Sequence, residues 1–149
     1  MRRAPLAVLL AALAGLVIGA VSCQTLAGKG DAGADFAAYR TALSDAKGRM
    51  DRAAQDSDVQ GVSKAMKEIG DQFNAIESRT SSMNLMDNEA MKIQIATGRN
   101  TITQTGPWVQ NNDAEAVRSQ VAQLDPVLAE IDVLLDRAVK SSAPASGTP

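Results

Sequence analysis

Histidine does not occur anywhere in this 149-residue sequence. That absence excludes Ser-His-Asp and Cys-His catalysis, histidine-ligated haem and the ordinary zinc sites, all of which need an imidazole. Cysteine occurs once, at Cys23, so one chain can form neither an internal disulfide nor a thiolate metal cluster. Aromatic residues make up 3% of the chain, and no segment alternates apolar and polar residues as a half-buried strand would. Basic residues are not gathered into a stripe, which argues against a nucleic-acid partner. Acidic pairs exist, Asp132 with Asp136 and Asp87 beside Glu89. Acid/base work, however, needs a pocket that drives two pKa values apart. The first pair lies away from the apolar seam of its helix, where carboxylates serve solubility. No catalytic residue, metal ligand or cofactor is therefore assigned, and the chain does not read as an enzyme.

What is present begins at the N-terminus. Arg2 and Arg3 precede an uncharged run from Ala4 to Ser22, and Cys23 follows at once. Basic residues that stay on the cytoplasmic side, then a short apolar helix former, then small residues, are the three parts of an export signal. Ala20-Val21-Ser22-Cys23 resembles the lipobox of bacterial lipoproteins, with Ala20 where leucine is the commoner residue. The resemblance covers residues 1–23. It implies that residues 1–22 are cleaved and that Cys23 carries a diacylglyceryl group. It also implies an envelope location, with Gln24 favouring the outer membrane. An acylated Cys23 accounts for an unpaired thiol in an exported protein. The alternative is a retained transmembrane anchor: the 19-residue run just reaches bilayer length, and Gly15 and Gly19 form a GxxxG.

Without Arg2 and Arg3, 13 basic residues face 17 acidic ones, a net charge of −4. Residues 23–34 are small, glycine-rich and non-periodic and read as the lipidated N-terminus and a flexible tether. Residues 141–149 have nothing to pack and read as a disordered tail. Between them, residues 35–140 carry enough chain for one core. Phe36, Tyr39, Leu43, Ala46, Met50 and Ala53 recur three and four apart, as do Val59, Val62, Met66, Ile69, Phe73 and Ile76. Val117, Val121, Leu124, Leu128, Ile131, Leu135 and Ala138 continue the pattern for more than three heptads. Ser57 with Gln60, and Asn112 with Glu115, read as capping boxes. Pro126 predicts a kink in the last helix, and Gly106 with Pro107 predicts the end of the third. The expected fold is all-α: an up-down-up-down four-helix bundle behind a cleaved signal peptide. In architecture it resembles periplasmic bundles such as the b-type cytochromes and cytochrome c′. Neither a CxxCH motif nor an axial histidine is present, so haem is not implied.

The third helix breaks the pattern. Met83, Met86, Ala90 and Ile93 mark one apolar stripe, and Met91, Ile95 and Ile102 another. At about 100° per residue the polar file Asp87, Gln94, Thr101 lies between them. Two buried stripes would put that file inside the bundle as a ligand groove. One buried stripe would leave the other on the surface, the more ordinary arrangement. Trp108, the only tryptophan, falls in the expected loop as a partner anchor or as a lid over the core. Methionine thioethers can select Cu(I), but Met50 and Met66 sit on core seams, and Met83, Met86 and Met91 do not share a face. The sequence thus predicts a lipid-anchored, non-enzymatic interaction module of the cell envelope that meets a protein partner. A small-ligand carrier built on Asp87, Gln94 and Thr101 is the second possibility, a Cu(I) carrier a more distant one.

Overall fold

The computed structural model describes residues 32–142. The expected signal at 1–22, Cys23, the expected tether up to residue 31 and residues 143–149 of the expected tail lie outside the described residues. Within them the chain forms α1 (Ala32–Gln55), α2 (Val59–Glu77), a 3-10 turn (Thr80–Ser82), α3 (Leu85–Gln110) and α4 (Ala114–Ser142). The protein is an all-α four-helix bundle. Short connections make consecutive helices antiparallel, and α1 closes the ring against α4, while the diagonal pair α2 and α4 scarcely meet.

The apolar seams explain the ring. Phe36, Leu43, Ala46 and Met50 of α1 are buried, as are Val62, Met66, Ile69, Phe73 and Ile76 of α2. From α4 come Val117, Leu124, Leu128, Ile131 and Leu135. Each set recurs at helical spacing, so burying one stripe per helix removes most large apolar side chains from water at once. Four of the five methionines among the described residues fill this core: Met50, Met66, Met83 and Met91.

Helix ends depart from the sequence expectations by a residue or more, each for a local reason. Ala32–Ala34, placed in the tether by composition, are the first turn of α1, where Ala32 packs against the core and Gly33 is buried. Ser141 and Ser142, placed in the tail, complete α4 by returning their hydroxyls to the Ala138 carbonyl. The cap of α2 is Asp58 rather than Ser57: its carboxylate accepts from the Gly61 amide at 2.9 Å. Likewise Asp113, not Asn112, caps α4 by accepting from the Ala116 amide at 3.0 Å. Ser57 and Asn112 instead take the left-handed turn, with φ of 58° and 53°. Pro107 does not end α3, which continues to Gln110. A proline near a helix C-terminus removes one ladder bond, here to the carbonyl of exposed Thr103. α4 runs unbroken through Pro126, whose ring lies on the exposed side.

The two helical hairpins, α1–α2 and α3–α4, turn in the same way. Asn112 follows Ser57 by 55 residues, and the same interval separates Asp113 from Asp58, Gln110 from Gln55 and Ala114 from Val59. The backbone bonds agree: the Asp58 amide donates to the Ala53 carbonyl at 2.8 Å, the Asp113 amide to that of Trp108 at 2.9 Å. Buried positions also coincide, with Phe36, Leu43, Ala46 and Met50 matched 55 residues on by Met91, Gly98, Thr101 and Thr105. α1 and α3 therefore occupy equivalent places. The interior of α3 is smaller and more polar, and Gly98 shows why: a Cβ there would stand 2.6 Å from the Phe73 ring of α2.

Candidate functional site

Charge is concentrated where α1 meets α4. The Arg40 guanidinium donates through Nε and Nη2 to both carboxylate oxygens of Asp132, at 2.6 and 2.9 Å, and through Nη1 to Asp136 at 2.7 Å. Lys140 reaches the other Asp136 oxygen at 2.6 Å. The planar guanidinium fork suits such two-carboxylate bridging. Hydrogen bonding to Asp132 holds the Arg40 guanidinium above its usual value. The Lys140 hydrogen bond, followed by the charges of Lys140 and Arg40, pulls the Asp136 carboxyl below the usual carboxylate range. Two turns away, Lys47 lies 2.7 Å from Asp51 and 2.9 Å from Asp125. Partial burial lowers its ammonium, but those two carboxylates more than offset it and leave it raised.

Asp132 and Asp136 are thus clamps between helices. Their i,i+4 spacing is legible in the sequence; their partner, more than 90 residues away, is not. An open cleft of about 550 Å³ runs between α1 and α4, bordered by Arg40, Ser44, Lys47, Leu128 and Asp132. Both cations at its rim are already engaged by carboxylates, so it offers no spare positive charge to a ligand.

The polar file of α3 is dispersed. Asp87 belongs to the helix start: its amide donates to the Asn84 side chain at 3.0 Å, and its carboxylate meets Arg137 of α4 at 3.3 Å. Gln94 is half-buried. Thr101 is buried, and its hydroxyl returns to the Thr97 carbonyl at 3.2 Å; buried Thr105 does the same with Thr101 at 2.9 Å. Such back-bonds satisfy a hydroxyl within its own helix and need no ligand.

The two apolar stripes part company. Met91 and Ile95 are wholly buried, whereas Met86 is 83% and Ile93 63% exposed. Among the described residues five large hydrophobic side chains are exposed, and four of them, Leu85, Met86, Ile93 and Trp108, lie on α3. Trp108 occupies the last turn of the helix, not a loop, and is 40% exposed. At about 100° per residue, Met86, Ala90, Ile93, Thr97, Asn100, Gln104 and Trp108 fall within about 40° of one line. No charged residue interrupts that line from one end of α3 to the other. The charges of α3 flank it: Arg99 turns to Glu77 and Asn74 of α2, Asp87 to Arg137 of α4, and Glu89 pairs with Lys92 on the same helix. The strip is thus uncharged from end to end and carries three exposed large apolar side chains, Met86, Ile93 and Trp108, with alanine, threonine, asparagine and glutamine between them.

Among the described residues no cluster of three or more Cys, Asp or Glu is placed to hold a metal ion, and no helix is long and apolar enough to cross a membrane. The chain matches no family model, no curated protein and no solved structure.

Proposed function

We propose that this protein is a lipid-anchored, non-enzymatic interaction module of the bacterial cell envelope, held by Cys23 and facing the periplasm, with the outer membrane the favoured site. The uncharged outer strip of α3 from Ala90 to Trp108, with Ile93 and Trp108 as its large apolar side chains, is the surface it presents to an envelope protein partner. The observation that carries this reading is the exposure of Ile93 and Trp108 on a strip free of charge, on a bundle whose other seams are closed by ion pairs. Burying such a strip gains apolar contact without stranding an ion in a dry interface. Tryptophan is the side chain most often found to dominate such contacts.

Crosslinking of the anchored protein in cells is the test. A reproducible adduct with one envelope protein is expected, and it should be lost on Ile93→Asp while the helical signal and membrane fraction stay unchanged. An adduct pattern indifferent to Ile93→Asp and Trp108→Ala would contradict the assignment of the surface. Cys23→Ala should release the folded bundle from membranes or stall its processing; tight membrane retention as uncleaved precursor would instead mean a transmembrane anchor.

A further inference from the structure

Among the described residues Leu85 and Met86 are the most exposed large apolar side chains, at 76% and 83%, and they occupy a particular end of the bundle. Antiparallel topology brings the start of α3 beside the start of α1, and Arg79 of the intervening connection pairs with Asp35 of α1 at 3.1 Å. The end of α4 lies there too, through Arg137 and Asp87. The two side chains are held out by a capped helix start and not by a loose loop. Asn84 accepts from the Asp87 amide at 3.0 Å and donates to its carboxylate at 2.5 Å. From Ser78 to Met86 the single charge is Arg79, paired with Asp35; the remainder is hydroxyl, amide, thioether and the Leu85 side chain.

Nine residue steps separate Cys23 from Ala32, and a peptide chain of that length spans at most about 30 Å. A lipid on Cys23 therefore keeps this end of the bundle within about 30 Å of the bilayer, whatever path the intervening chain takes. We infer that the Leu85–Met86 corner is a second contact of this protein with the lipid surface, seated shallowly at the headgroup and acyl-chain boundary. This rests on the reading of Cys23 as a lipid anchor. Apolar tips enter the acyl boundary while neighbouring hydroxyls and amides stay at headgroup depth, the division of labour of interfacial segments. The corner is two side chains wide and lies about 10 Å along α3 from Ile93; on its own it is too small a patch for a specific protein interface, which needs on the order of 1,200 Å² or more in all. A lipid surface demands no shape complementarity, and the anchor supplies a high local concentration of it. Attachment at two points fixes orientation. α3 then rises from the membrane, with Trp108 about 33 Å farther along the helix than Met86.

Because an anchored Cys23 is acylated, one added cysteine is the sole thiol open to labelling. Met86→Cys and, at the far end of the same strip, Gln104→Cys each receive a nitrobenzoxadiazole label in the full acylated chain. The proteins are reconstituted into phosphatidylethanolamine and phosphatidylglycerol vesicles carrying nitroxide lipid. Position 86 should emit at shorter wavelength than in detergent-free solution and lose most of its emission to the nitroxide; position 104 should stay water-like and unquenched. Equal, water-like emission at both positions, on protein that floats with the vesicles, would overturn the lipid contact and leave the anchor standing. A blue shift at 86 without quenching would overturn it in favour of coverage by a second copy of the chain. Protein that carries no acyl mass and does not float would overturn the anchor, and this inference with it.

Discussion

α1 and α3 stand at equivalent places in two hairpins that turn alike, yet they are built for different neighbours. α1 is large and apolar inside, with Phe36, Leu43 and Met50, and its flanks are charged. Arg40 and Lys47 bind it to α4, and Arg49 binds it to Glu68 of α2 at 2.6 Å. α3 offers Met91, Gly98, Thr101 and Thr105 at the matching inner positions and keeps its outer strip free of charge. One helix spends both its faces on the fold. The other is held with less and leaves apolar side chains over. Where equivalent positions diverge in this way, the surplus exposure on α3 supports the proposed interaction surface, since folding alone does not need it.

The largest difference between the two helices is expected in the core. Leu43 and Gly98 are equivalent positions, and alanine should damage both for opposite reasons. Leu43→Ala leaves a cavity and should cost about 2–5 kcal/mol. Gly98→Ala drives a methyl into Phe73 and should cost about 1–3 kcal/mol, despite the better helix propensity of alanine. Urea unfolding of the full chain measures both; a stabilised Gly98→Ala would show that α3 is not pressed against α2. Gly48 of α1 has open space where its Cβ would be, so Gly48→Ala should instead stabilise, by about 0.5–1 kcal/mol.

The smallest effect belongs to the ion clamps, whose side chains are part-exposed. The Asp136 carboxyl is depressed chiefly by its hydrogen bond to Lys140, so its contribution is present above the ordinary carboxylate range and fades as pH falls through the depressed value. Thermal melts below about pH 4 should therefore fall less steeply for Asp136→Asn than for the parent chain. Parallel acid limbs would remove the clamp from the account.

Much of the fold is legible in spacing alone, because α1, α2 and α4 each repeat one apolar stripe. What was hidden is instructive. The caps passed to Asp58 and Asp113 since the residue before each was needed for a left-handed turn that spacing does not reveal. Trp108 joined a helix because Pro107 stands where only one exposed carbonyl loses its donor. The Arg40 clamp depends on a contact across more than 90 residues, beyond any local pattern. In α3 the sequence displayed both stripes but not which one faced inward. Gly98 decided it, by letting Phe73 approach on the Met91 and Ile95 side.

The outer strip of α3 remains the central claim, and the equivalence of the hairpins supplies its control. Ile93 corresponds to Ala38 of α1, 55 residues earlier, and both are exposed. A photoreactive amino acid placed at each position in turn, in cells, puts the same probe on the two faces. A discrete adduct with an envelope protein is expected from position 93 and none from position 38. Adducts of equal yield from both positions, or from neither, would contradict it.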